Sequence, residues 1–409
     1  MQENNSIKIH HPILYPETIE YKSKSSSALS NYKVLDTHIN LQFLLKHFNA
    51  KIKFNMMTRR REVYIPEYAS SKEDEENSSL AIVTYLATVN HMPITQIDTH
   101  LNTLSYENSY HPIVECIKDK PWDGVSRLNE FLGTIKTTNT DLSNKIISAW
   151  MVGAIAAAHS IDGYVNHGVL VIHGKQGIGK TAWVRKLDPI GCGAVKEGAF
   201  LDPNNKDSIA QLGSYWIAEL GELDSIFKKS EIGRLKSFIT MEFDYIRLPY
   251  AKRPTRLSRR TAYIATVNDE NFLSDDTGNR RWWTITATDI DYQHNIDMQQ
   301  LWAEIYQIWM AGDAITYLSS EIQMEVDRSN ELYEKLDPFV ELLNTNYDWE
   351  STARRRITAT DILIELGYTR PTRSDSTRMG VTLKKMTGTN PTRGRAGTQH
   401  NVPYLLIKR

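Results

Sequence analysis

Residues 174–181 read Gly174-Lys175-Gln176-Gly177-Ile178-Gly179-Lys180-Thr181. Glycines at this spacing let successive backbone N–H groups close around phosphate oxygens with no Cβ in the way. A lysine and a hydroxyl at the end of such a loop suit the β- and γ-phosphates of ATP and a Mg²⁺ ion, respectively. All eight residues are therefore expected to bind ATP, with Thr181 on the metal. An acidic partner is needed for that chemistry. The stretch 215–223, Tyr-Trp-Ile-Ala-Glu-Leu-Gly-Glu-Leu, supplies Glu219 at the end of an apolar run and Glu222 just beyond it. A carboxylate ending a buried strand is costly unless it meets a cation. Glu219 is assigned to the metal and Glu222 to activation of water, and the two roles are interchangeable at this level. A third apolar run ends in Thr266-Val267-Asn268, where an amide could sense the γ-phosphate or hold the attacking water. Arg280 and Arg281 follow and could neutralise transition-state charge.

A second chemistry lies between Glu222 and Asn268. Arg247, Tyr250, Lys252, Arg253, Arg256, Arg259 and Arg260 place cations around an aromatic ring, with Pro249 and Pro254 favouring a turn. Such a segment suits a nucleic-acid backbone and a stacked base. The whole chain, 409 residues with 48 Lys and Arg against 49 Asp and Glu, hides this bias under a net charge of −1. Residues 228–260 hold ten Lys and Arg against three acids, and residues 350–409 hold twelve against four. Two basic zones on an acidic body read as local anion-binding surfaces.

The positioning elements follow from hydropathy. Apolar runs at 169–173, 215–220, 262–267 and 282–286 are expected strands separated by helical stretches, which predicts an α/β domain with a largely parallel sheet. A helix is expected over 182–187, and a buried helix over about 142–158 capped by Asp141. Helices are also expected at 41–48, 80–89 and within 298–333, with a short strand at 63–65. Asp337-Pro338 marks a boundary, because proline disfavours helix in the residue before it. Beyond it, a helix at 360–366, a helix at 376–386 and a strand at 403–407 are compatible with a winged helix. The expected organisation is a flexible arm over 1–30, an N-terminal region over 31–140, an ATPase domain over 141–335 and a basic C-terminal domain over 336–409. Only two cysteines occur, Cys116 and Cys192, which excludes a disulfide framework and a four-cysteine zinc site and suits a reducing compartment. Both are expected to be small buried apolar groups. No membrane span and no secretory leader are expected, which points to the cytoplasm.

Together with Tyr110-His111-Pro112, the segment Pro121-Trp-Asp-Gly-Val-Ser-Arg-Leu128 and Leu301-Trp-Ala-Glu304, these motifs resemble the virulence-associated protein E family. The ATPase of that family is similar to the superfamily three helicases of phages and small viruses. The likeness covers about residues 106–340. It implies an AAA+-like module that assembles into a homo-oligomeric ring, expected to be a hexamer, with a neighbour's arginine completing each ATP site. It also implies replication of a phage or an integrated mobile element, in company with host or phage replication proteins. The expected function is an ATP- and Mg²⁺-dependent DNA helicase or translocase acting on single-stranded or forked DNA. The alternatives are an initiator or helicase loader that unwinds little, and a DNA-binding regulator that uses nucleotide as a switch. The spaced acids at 219 and 222 depart from the adjacent acids of most AAA+ proteins.

Overall fold

The computed structural model describes all residues except 1–12, 22–30, 72, 203–204, 222–231, 247–253, 270, 274–278, 313–315, 335–336, 350–354, 389–391, 394–399, 405–406 and 409. It divides into two units. One comprises residues 1–269 with 277–330, and the other comprises residues 270–276 with 331–409.

The larger unit is built on a six-stranded sheet. Its strands are β1 (Ile135–Thr137), β2 (Val169–His173), β3 (Val195–Ala199), β4 (Ile217–Leu220), β5 (Ala262–Val267) and β6 (Trp282–Ile290). They lie in the order β1-β6-β2-β5-β4-β3, and every pairing except β1 with β6 is parallel. Residues 169–173 and 217–220 are buried throughout, as strands covered on both faces must be. The four expected strands are present, with β4 starting two residues late and β6 running on to Ile290.

The helix Thr140–His159 crosses the sheet, and its Ala-rich second half is buried nearly all round. Asn139, not Asp141, caps it: the Asn139 side chain accepts from the Leu142 N–H. Asp141 lies inside the first turn, where its charge favours the helix dipole instead. Buried tryptophans pin the layers through their indole N–H groups. Trp150 donates to the Tyr263 carbonyl at 2.8 Å, Trp216 to that of Ala154 at 2.8 Å, and Trp302 to that of Leu187 at 2.9 Å. Each ring thus contributes apolar area without leaving a buried donor unpaired.

In the N-terminal part, helices His38–His47, Glu75–Val89 and Ile97–Glu107 pack on strands Lys51–Asn55, Arg60–Tyr64 and Ser109–Tyr110. Leu41, Leu44, Val83, Leu86, Leu101 and Leu104 form their core. The expectation for the cysteines is corrected: Cys192 is exposed and Cys116 half-buried. Cys192 sits in the turn-rich 188–194 loop, whose backbone N–H groups point to the Asp188 carboxylate, so the chain there stays at the surface.

The expected helix over 298–333 is two helices, Met298–Met310 and Ser320–Asn330. In the smaller unit, Asp337 caps the helix Pro338–Asn346, with proline in the first turn where its missing N–H costs nothing. There follow strand Arg355–Thr358, helices Ala359–Glu365 and Arg373–Thr387, and strands Thr392–Arg393 and His400–Tyr404. His400–Tyr404 is the middle strand of three. Both helices start with a reciprocal cap, Thr358 with Asp361 and Thr372 with Asp375. Phe339, Leu343, Ile362, Leu363, Met379 and Leu383 fill the core. No helix among the described residues is long and apolar enough to cross a membrane.

Candidate nucleotide site

Parallel strands bring all their C-terminal ends to one edge, and ligands of such sheets gather where the chain order reverses. Here β2 lies between β5 and β6, and the next strand in sequence, β3, is at the far edge. The glycine loop 174–179 leaves β2 at that point, and the helix Lys180–Arg185 follows it. Gly177 and Gly179 have φ of 85° and 97°, a left-handed backbone that side chains resist. Gly174 is needed for another reason, since a Cβ there would lie 2.6 Å from the Ala287 carbonyl oxygen of β6. Its N–H donates to the Val267 carbonyl at 3.1 Å, tying the loop to the end of β5.

Lys180, Thr181, Glu219 and Asn268 come together here. The Lys180 ammonium donates to Asn268 Oδ1 at 2.6 Å and to the carbonyls of Gly174 and Lys175 at 2.7 and 2.9 Å. Burial pushes its pKa below the usual lysine value, and the nearby Glu219 charge opposes that shift. Lys180 is only 7% exposed, and no carboxylate is among its hydrogen-bond partners in the described residues. A buried cation whose described hydrogen-bond partners are all carbonyl oxygens fits an anionic ligand.

Glu219 is 1% exposed. Its Oε1 accepts from the hydroxyls of Thr181 and Thr266, each at 2.8 Å, and its Oε2 from the Gly198 N–H at 3.2 Å. Three donors from β3, β5 and the helix after the loop therefore fix one carboxylate. The hydroxyl–carboxylate pair of Thr181 and Glu219 is an all-oxygen donor set suited to Mg²⁺ and its water shell. Thr266 is a partner that sequence reasoning passed over. Its hydroxyl becomes meaningful only when β5 is laid beside β4, with Ala265 opposite Leu220.

Glu222, Arg247, Tyr250, Lys252 and Arg253 lie outside the described residues. The remaining basic residues separate. Arg256 is on a hairpin, Phe243–Ile246 with Thr255–Ser258, where its guanidinium sits 4.3 Å over the Phe243 ring. Arg259 does not face outward as expected. It is 2% exposed and clasps the Asp244 carboxylate, with Nε at 2.7 Å from Oδ2, while stacking 3.7 Å over Phe238. A buried guanidinium already committed to a carboxylate is not available to a phosphate. Arg260 is turned inward too, donating to the carbonyls of Ser160 and Ile161. The clasp is thus a root for the hairpin rather than a contact surface. From the N-terminal part, Arg59 reaches the same root and donates to the Ser258 carbonyl at 3.4 Å.

Arg280 and Arg281 form a single 3-10 turn immediately before β6. Since Trp282 pairs with Val169 and Thr286 with His173, this turn is at the start of β6 and the glycine loop at the other end. Five strand residues span roughly 17 Å. The two arginines are therefore not brought to the glycine loop of their own chain. Arg280 is exposed, and the Arg281 Nε is buried without a partner among the described residues.

A family model for the virulence-associated protein E-like domain matches residues 117–335. The apo structure of the NrS-1 C-terminal region (residues 305–718) aligns at 14% identity and a TM-score of 0.45, covering 89% of this chain and 97% of that one. An A form apo structure of the same region aligns at 16% identity and a TM-score of 0.44, covering 74% and 77%. The search of curated proteins found no match. The family match takes in the six-stranded sheet, the glycine loop, Glu219 and Asn268, and by it the chain belongs to the virulence-associated protein E-like family.

Proposed function

We propose that this chain is a Mg²⁺-dependent ATPase that moves along or unwinds DNA during replication of a phage or integrated mobile element. The observation that carries this reading is the convergence of Lys180, Thr181, Glu219 and Asn268 at the loop end of β2, β4 and β5. Family membership supports the same reading.

In the proposed reaction, the N–H groups of 174–181 bind the phosphates. Lys180 exchanges its loop carbonyls for phosphate oxygens. Thr181 and Glu219 hold the metal, which when bound supplies charge stabilisation at the leaving phosphate. Asn268, released from Lys180, orients the attacking water. Glu222 is proposed as the group that takes its proton. Arg280 and Arg281, being far from their own loop, are proposed to act on a neighbouring chain in a ring. The basic segment is the proposed DNA contact, through Arg256 together with Arg247, Tyr250, Lys252 and Arg253. The smaller unit, with helix, strand, two helices and paired strands in sequence, has the element order of a winged helix and is proposed as a second DNA-binding module.

The test measures ATP hydrolysis with and without single-stranded DNA, and displacement of a labelled strand from a fork. DNA-stimulated hydrolysis with displacement is expected. Hydrolysis without displacement would favour the initiator or loader reading, and no hydrolysis with any DNA would overturn the proposal.

A further inference from the structure

The loop after β6 presents an aromatic ring beside the phosphate loop. Tyr292 sits so close to Gly179 that a Cβ on that glycine would lie 2.2 Å from the Tyr292 Cδ1. The ring is 38% exposed, and its hydroxyl makes no hydrogen bond among the described residues. The backbone around it is pinned on both sides. The Asp291 N–H donates to the Thr134 carbonyl at 2.7 Å, and the Gln293 N–H to the Asp291 carboxylate at 3.1 Å. The His294 carbonyl accepts from Lys186 Nζ at 3.3 Å. The buried His294 ring meets Phe131 edge-on at 5.8 Å, and Phe131 stacks on Trp183 at 5.0 Å. Trp183 and Lys186 belong to the helix that follows the glycine loop and its end.

An exposed aromatic on a polar surface is ordinary. One held against the loop glycine, with no hydrogen bond to its hydroxyl among the described residues, is placed for a flat ligand that extends from the phosphates. A stacking platform loses little freedom on binding when its backbone is already fixed. We propose that Tyr292 is the surface on which the base of the bound nucleoside triphosphate stacks. This rests on the proposed nucleotide site and adds a base subsite to it. A π-face alone does not read hydrogen-bonding edges, so the subsite takes purines generally and favours them over the smaller pyrimidines.

Titration calorimetry of the full chain with Mg²⁺ tests this using two probes, ATP and inorganic tripolyphosphate. For Tyr292→Ala, ATP affinity is expected to fall about tenfold or more while tripolyphosphate affinity stays within about twofold. Tyr292→Phe, which keeps the π-face, is expected to match wild type for both. Unchanged ATP affinity in Tyr292→Ala would overturn the platform. An equal loss for both probes would also overturn it, because the ring would then be shaping the loop and not meeting the base. Wild-type protein that binds neither probe would instead remove the nucleotide site itself, and the base subsite with it.

Discussion

Lys180 is the residue on which the proposed chemistry turns. Its ammonium donates to the Gly174 and Lys175 carbonyls and to the Asn268 side-chain oxygen. Lys180→Ala is expected to reduce ATP turnover by at least about 10²-fold with the melting temperature little changed, read by phosphate release and thermal unfolding. Glu219→Gln should separate functions: nucleotide binds, while turnover falls by a comparable factor because the carboxamide weakens the metal pair with Thr181. Wild-type turnover in either variant would show that the loop serves something other than hydrolysis. At this scale the sequence was informative where spacing encodes chemistry. Lys180 and Thr181 are adjacent and Glu219 ends an apolar run, so their types and order were enough. Thr266 and Tyr292 were not legible, because a threonine in a strand and a tyrosine in a loop carry no pattern until the sheet closes. Arg259 misled for the opposite reason: a run of basic residues looks uniform in sequence, and burial beside Asp244 is decided by the fold.

Elements differ in how much their neighbours determine them. The buried strands 169–173 and 262–267 were legible to the residue, since a run covered on both faces is continuously apolar. The Asp141 cap was misplaced by two residues, because asparagine and aspartate cap almost equally well. Two elements carry predictions. His111 precedes the helix Pro112–Asp119, and both its ring nitrogens are buried without partners among the described residues. Burial, aided by Arg260 and His159, pushes its pKa from 6.5 down to about 3. Between those values the unfolded chain binds a proton that the folded chain refuses. Stability should therefore fall as pH drops through that window, by up to about 1.4 kcal/mol per pH unit. Urea unfolding at pH 6 and pH 4 should show a shallower loss in His111→Phe, and equal losses would place the acid sensitivity elsewhere. The paired strands Phe243–Ile246 and Thr255–Ser258 carry the other prediction. Arg259→Ala removes the guanidinium that pairs with the half-buried Asp244 carboxylate and should cost up to about 3 kcal/mol in the same unfolding measurement. Arg256→Ala should instead leave stability nearly intact and lower the log–log salt slope of single-stranded DNA binding by about 0.7. An unchanged slope would mean that Arg256 does not meet DNA.

For the whole molecule, the placement of Arg280 and Arg281 at the start of β6 sets the expectation for assembly. Mixing Lys180→Ala with Arg280→Ala, and separately with Arg281→Ala, should restore part of the lost ATP turnover if one chain's arginine serves another's loop. No recovery in demonstrably mixed oligomers would exclude a shared site. Assembly into a ring would leave little trace in the sequence, because an interface between copies need have no periodicity of its own. One feature of the single chain has a mechanical side. The Arg259–Asp244 clasp ties the two legs of the hairpin together at their base, and only Arg260 and Thr261 separate it from the start of β5. A hairpin loose at its base would soak up a tug by bending. With the base locked, a load on either of the paired strands would pass to β5, whose far end carries Asn268 and its bond to Lys180. Because β5 is hydrogen-bonded on both sides, to β2 and β4, a pull reaching it would be shared across the sheet edge that gathers Lys180, Thr181 and Glu219, and not spent in a single amide.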